Sequence, residues 1–234
     1  MGYIPIPPYL NRASTKKDQK DYQTTYAKIA GSVAAPTAGL HFTDRVMLDL
    51  KEKGIVPLET TLHVGAGTFK PVDAEEITEH AMHAEQFELR ASFIEHLIAH
   101  QGPRIAVGTT SLRVLESLYQ IGVNIENGEQ NPVHVLQEQE AAQSNLSYKE
   151  ALSLVLEYLQ ENGDCMASTA IFIYPGKKIR SIDALITNFH QPGSTLVMLI
   201  ASLIGDKWKE IYQTALQSNY RFLSYGDSSM LWLD

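Results

Sequence analysis

The stretch Asp183–Gly205, DALITNFHQPGSTLVMLIASLIG, constrains the fold more than any other part of the chain. Ala184 to Ile186 is short, apolar and bounded by polar residues, as a buried strand is. Thr187 to Gly193 is polar and holds a His, a Pro and a Gly. Ser194 and Thr195 are good helix N-caps, and Leu196 to Ile204 is an almost unbroken apolar helix. A helix apolar on most faces must be covered, so the unit belongs inside layered α/β packing. In open α/β sheets ligands gather at the carboxyl ends of strands, where the Thr187–Gly193 loop falls. The helix start also offers free N–H groups to an anion, although a capped connection with nothing bound reads the same way.

Elsewhere strand and helix signals alternate. Gly2 to Tyr9 has three prolines in eight residues, cannot be α-helical, and reads as an extended arm that needs a surface to lie against. Lys16 to Lys28 is polar, with Tyr22 and Tyr26 at a helix-compatible spacing. Gly31 to Thr43 is rich in small residues that allow close approach. Thr43 and Asp44 cap a helix to about Lys53, and Gly54 ends it. Ile55 to Val64 and Gln86 to Leu89 read as strands, and Ser92 to His100 as a helix. Arg104 to Val107 reads as a strand leading through Gly108-Thr-Thr-Ser-Leu-Arg113 into a helix from Leu112 to Tyr119. Ser168 to Tyr174 reads as a strong strand, Lys207 to Gln217 as the last helix, and Tyr220 to Asp227 as an aromatic-rich tail. The fold expected is α/β, a three-layer αβα sandwich-like catalytic domain spanning 1–234 with an acidic insertion at 122–167.

Charge is uneven. Gly122 to Asp164 holds eight acidic residues and one Lys, which leaves the rest of the chain close to neutral within a formal net charge of −8. Arg12, Lys16, Lys17, Lys20 and Lys28 lie early, and Lys177, Lys178, Arg180, Lys207, Lys209 and Arg221 lie late. Basic clusters on a neutral body are compatible with phosphate contacts, and equally with plain solvated charge. The single cysteine, Cys165, excludes an internal disulfide and fits a reducing, cytoplasmic setting. The longest apolar run is too short to span a bilayer.

Two motifs invite readings that their spacing does not support. His63-Val-Gly-Ala-Gly-Thr-Phe69 follows a strand, but the third glycine of a dinucleotide fingerprint is missing and Pro71 interrupts the helix. His80, His83 and Glu85 match no usual zinc pattern, so no metal is expected.

Taken together, eight stretches resemble one family. They are Gly2–Tyr9, Tyr22–Tyr26, Gly31–Thr43, His63–Phe69, Met82–Glu85, Ala106–Ser111 with Arg113 and Glu116, Thr187–Leu196, and Tyr220–Asp227. They run in the order found in S-adenosylmethionine:tRNA ribosyltransferase-isomerases of queuosine biosynthesis. Members of that family carry a further N-terminal segment and a small β-barrel before the Pro-rich arm, so the chain reads as the C-terminal part of a member. The 122–167 segment reads as longer than the corresponding link. Tyr3 and Gln191 stand where a His and an apolar residue are common.

The resemblance implies transfer and isomerisation of the ribosyl part of S-adenosylmethionine onto 7-aminomethyl-7-deazaguanine at the wobble position of a tRNA with a GUN-type anticodon. The products are epoxyqueuosine-tRNA, adenine and methionine. S-adenosylmethionine is consumed as a substrate, and no cofactor, metal or membrane partner is implied; the full-length family is expected to be monomeric. The implied catalytic set is His190, His41, Asp227, Glu85 and Glu116, since a base near C5′, an acid for departing adenine and a carboxylate beside the sulfonium are required. Thr109, Thr110, Ser111, Arg113, Gly65, Gly67 and Asn188 are the implied substrate-binding residues, with Arg113 suited to clamp a carboxylate. Arg221, Phe222, Tyr225, Lys16 and Lys17 are the implied tRNA contacts. Two rival readings are a non-catalytic tRNA-binding fragment or paralogue, and a hydrolase using His190 and Asp227.

Overall fold

The computed structural model describes residues 6–28, 32, 34–63, 82–137 and 144–233. In chain order its elements are α1 (Asp18–Asp21), α2 (Asp44–Glu52), β1 (Leu62–His63), β2 (Glu85–Leu89), α3 (Ala91–Ala99), β3 (Ile105–Val107), α4 (Thr109–Glu126), β4 (His134–Val135), α5 (Tyr148–Asn162), β5 (Cys165–Thr169), β6 (Ala184–Asn188), α6 (Thr195–Ile204), α7 (Lys207–Gln217) and β7 (Ser228–Trp232). One-turn 3₁₀ segments lie at Pro8–Leu10 and Thr37–His41. The α/β class expected from the sequence is what the chain adopts.

The strands divide between two sheets. One has the order β1-β2-β5-β4, with β2 and β5 antiparallel from Glu85 opposite Thr169 to Leu89 opposite Cys165. The other has the order β3-β6-β7. There β3 and β6 are parallel, with Val107 opposite Ile186, while β7 is antiparallel to β6 and sets Ser228 opposite Asn188. The carboxyl ends of β3 and β6 and the amino end of β7 therefore meet at one end of this sheet.

Each sheet has its own core, and α4 serves both. Val114, Leu118 and Ile121 pack with Phe87, Leu89, Leu152 and Val155, while Leu112 packs with Leu185, Ile200 and Leu231. The cross-over explains why the expected strand Ser168–Tyr174 stops at Thr169. The Thr169 hydroxyl takes the N–H of Ile171, and the chain then passes from the first core (Ile171) to the second (Ile173). Ile171 to Ile173 are buried on the way but lie outside the strands, which an apolar run alone does not distinguish from a strand.

The segment 122–167, read from the sequence as an acidic insertion, is built into the first sheet and its core. Gly122 lies inside α4, α5 packs against α4 and α3, and β5 pairs with two strands. Tyr148, Ala151, Leu152, Val155, Leu159 and Ala167 are buried in the first core. Three of the eight acidic residues, Glu150, Glu157 and Glu161, lie on the exposed face of α5, whose other face enters the core and whose start is fixed by a capping box between Ser147 and Glu150. Gly122 is required by the packing, since a Cβ there would lie 2.7 Å from Ala151 Cα.

Other boundaries moved less. Thr43 and Ser194 cap α2 and α6 through their hydroxyls, as their sequence positions imply. Within Ile55–His63, only Leu62–His63 form a strand, and Ile55 and Val56 are exposed. The helix start read at Leu112 begins earlier, at Thr109, because Gly108 at φ +91° ends β3 and the helix follows at once. The Lys16–Lys28 pattern yields only α1.

Candidate active site

The loop after β6 is held by its own side chains. Phe189 packs against Tyr212 and Phe222 with centroids 5.5 and 5.2 Å away, and the His190 N–H donates to Tyr212 Oη at 3.0 Å. The His190 ring is buried, with Nε2 2.8 Å from Thr187 Oγ1. Burial pulls its pKa down to about 4, so the imidazole is neutral at physiological pH. Asn188 is also buried and ties this loop to the Thr37–His41 turn. Its Oδ1 accepts from Thr37 Oγ1 at 3.0 Å, and its Nδ2 donates to His41 Nε2 at 3.3 Å. Unlike His190, His41 is exposed.

The strand register brings the other elements to the same end. Gly108 N donates to Ile186 O at 2.8 Å, which sets the start of α4 beside β6. A Cβ on Gly108 would lie 3.8 Å from Ala38 Cβ, so the 3₁₀ turn lies against the α4 start. Asp227 precedes β7, opposite the end of β6. Its carboxylate accepts from Arg221 N at 2.7 Å and from Arg221 Nη2 at 2.9 Å, and these bonds lower its pKa, with a smaller contribution from nearby His41. Leu223 N donates to Phe189 O at 2.8 Å, which closes this turn onto the β6 loop. His41, Asn188, Thr109 and Asp227 thus converge from four sequence-distant segments.

Several sequence-derived assignments need correction. Glu116 follows Arg113 by three residues on α4 but does not pair with it. Its Oε1 accepts from the N–H groups of Arg180 and Ser181 at 2.7 and 2.8 Å, which anchors the 180–181 loop on α4. Arg113 is not poised as a carboxylate clamp. It is buried, with Nη1 3.0 Å from Glu85 Oε2 and Nε donating to Ile171 O at 3.1 Å. Burial lowers the guanidinium pKa and the Glu85 charge opposes that. Glu85 is equally buried in this pair. The Ser111 hydroxyl donates back to Val107 O at 2.8 Å, while Thr109 and Thr110 stand half-buried at the α4 start. The pairing a hydrolase would use is absent, because His190 Nε2 meets Thr187 and Asp227 meets Arg221.

Among the proposed RNA contacts, Phe222 is corrected too, since it packs against Phe189 and Tyr212 rather than presenting a free stacking face. Arg221, Lys16 and Lys17 are exposed. Tyr225 is half-buried, its hydroxyl donating to Asp18 at 3.2 Å. Gly65, Gly67 and His80 lie outside the described residues. Among the described residues no group of three or more His, Cys, Asp or Glu side chains could hold a metal ion, and no helix is long and apolar enough to cross a membrane. Thr37 and Tyr212 contribute to the site without a motif of their own, while Thr187 opens the polar loop Thr187–Gly193. Thr187 sits three residues before His190 in the opening stretch, which was a usable signal; nothing local marks Tyr212.

The fold and site define an α/β protein whose polar cluster lies at the carboxyl ends of parallel strands, the position at which such sheets bind ligands. The chain belongs to the family described as "Queuosine biosynthesis protein", whose model matches residues 1–231. Similar proteins include the S-adenosylmethionine:tRNA ribosyltransferase-isomerases of Phenylobacterium zucineum (strain HLK1), 43% identical over 99% of this chain and 56% of its own length, and of Vesicomyosocius okutanii, 40% identical over 99% and 58%. That of Legionella pneumophila (strain Corby) is 43% identical over 99% and 58%. A crystal structure of an S-adenosylmethionine tRNA ribosyltransferase from Thermotoga maritima superposes with a TM-score of 0.53 at 28% identity, covering 82% of this chain and 50% of that one. The chain thus spans a little over half the length of the curated relatives it matches.

Proposed function

We propose that this chain carries the reaction centre of an S-adenosylmethionine:tRNA ribosyltransferase-isomerase. It transfers and isomerises the ribosyl moiety of S-adenosylmethionine onto 7-aminomethyl-7-deazaguanine in a tRNA with a GUN-type anticodon, in the cytoplasm and without a resident cofactor. The observation that carries the reading is the meeting of His41, Asn188, Thr109 and Asp227 at one sheet end in a chain similar along almost its whole length to enzymes of that name.

The roles follow from exposure and partners. His41 is the base that takes the proton beside the sulfonium, because it is exposed and Asn188 orients its ring. Asp227 supplies negative charge near the sulfonium, and its bonds from Arg221 keep it ionised. His190 stays neutral and shapes the loop. Free N–H groups at the α4 start, with Thr109 and Thr110, hold ribose hydroxyls or the methionine carboxylate. Exposed Arg221, Lys16 and Lys17 meet RNA phosphates.

The test is to mix the chain with precursor-containing tRNA and S-adenosylmethionine and to follow adenine by chromatography. Adenine release that requires the tRNA is expected. Turnover without tRNA would sink the reading. A second reading, a tRNA-binding portion without activity of its own, is favoured by the share of the relatives' length that the chain spans, and is marked by retained tRNA with no adenine.

A further inference from the structure

Residues 6–22 grip the turn that carries Asp227 at two consecutive positions. Tyr9 Oη contacts Ser224 Oγ and accepts from Ser224 N at 3.2 Å. One residue on, Tyr225 donates to Asp18 Oδ1 at 3.2 Å and sets its ring against that of Tyr22, with centroids 5.7 Å apart. Asp18 is the hub. It is 3% exposed, although it lies in a polar, surface-derived segment. Its carboxylate accepts from Arg12 Nη1 and Nη2 at 2.8 and 2.6 Å and from Thr15 N and Oγ1 at 2.7 and 2.8 Å. A helix of four residues does not need so many bonds to one acceptor. Three of them go to Oδ2 and one, from Arg12 Nη2, to Oδ1, and together they fix the carboxylate so that Oδ1 meets Tyr225.

The turn has bonds of its own, Gly226 N to Leu223 O at 2.9 Å and Asp227 N to Arg221 O at 2.8 Å, but it also holds Leu223 at φ +71°, an unfavourable region for a branched side chain that contacts from outside help to maintain. It is clamped from one side by Phe189 O and from the other by Tyr9 and Asp18. Asp227 lies between these clamps and near His41.

We propose that Asp18, acting through Tyr225, is a positioning residue that fixes the Arg221–Asp227 turn against the His41–Asn188 pair. It never touches substrate. The proposal rests on the reaction reading above for its kinetic consequence, but not for its structural one.

The test uses the 234-residue chain with Asp18→Asn and Tyr225→Phe, and Ser147→Ala as a control that weakens the α5 cap far away. Amide exchange in peptides covering 220–227 is expected to speed up at least about tenfold in both variants, with α4 and α5 peptides unchanged. In Ser147→Ala only α5 peptides should loosen. The kcat of tRNA-dependent adenine release, counted per folded molecule from circular dichroism of the same preparation, should fall roughly tenfold in Asp18→Asn with the KM for S-adenosylmethionine within about twofold, a loss that a smaller folded fraction does not explain. Unchanged exchange at 220–227, or a loosened turn with unaltered kcat, would overturn the proposal. If Asp18→Asn fails to fold, Tyr225→Phe, which removes one hydroxyl, decides alone. A wild-type chain that releases no adenine overturns the reaction reading instead, and exchange then still decides whether Asp18 holds the turn.

Discussion

Asn188 Nδ2 stands 3.3 Å from His41 Nε2, across 147 residues of chain, while the same amide accepts from Thr37. One buried side chain thus fixes an exposed imidazole and the turn it stands on. Asn188→Ala should lower the rate of adenine release by about 10- to 100-fold, because the ring loses its orientation. The measurement is kcat with saturating tRNA. A variant as active as the wild type would remove Asn188 from the role of orienting His41.

The buried pair makes a different prediction. Arg113→Met strands the Glu85 carboxylate in a site where neither group meets solvent. The cost should be about 3–5 kcal/mol, read as a lower urea midpoint. Adding Glu85→Gln should recover part of that loss. A loss of substrate affinity at unchanged stability would instead restore the clamp role implied by the sequence.

His190 gives a pH dependence with a definite sign. The unfolded chain binds this proton near pH 6.5, while the folded chain resists it down to about 4. Between these values the unfolded state holds more protons, so stability is full above about pH 6.5 and falls as the pH drops toward 4, by roughly 3 kcal/mol in all. Urea midpoints at pH 7.5, 6 and 5 measure it, and His190→Gln should flatten the slope. An identical slope in that variant would mean that other groups carry the acid sensitivity.

What could be read beforehand divides by range. Thr43, Ser194 and the unit from Ala184 to Ile204 act within a few residues, and capping and periodicity disclosed them. The loop around His190, the α4 start and Asp227 were legible as separate polar stretches, and the resemblance joined them. What pairs with what was not legible. Arg113 and Glu116 lie three apart on one helix, yet one turns to β2 and the other to the 180–181 loop. At 122–167 an amphipathic helix around Tyr148 to Leu159 was legible, but not that its apolar face is part of the first core. The division into two cores is a long-range outcome of α4 spanning both, and no local pattern encodes it.

Gly226 offers the sharpest separation of stability from function. A Cβ at this position would lie 2.5 Å from the Phe222 carbonyl carbon and oxygen, and both are backbone atoms that cannot swing away. Gly226→Ala must therefore open the turn in which Asp227 N donates to Arg221 O at 2.8 Å and Gly226 N donates to Leu223 O at 2.9 Å. The clash is confined to one turn near the chain's end, so the stability loss should stay within about 1–3 kcal/mol. Adenine release should suffer more, on the order of 100-fold, because Asp227 moves relative to His41. Thermal unfolding and turnover measured on the same preparation separate the two effects. Activity that falls only in step with the folded fraction would show that the shape of this turn does not matter to the chemistry.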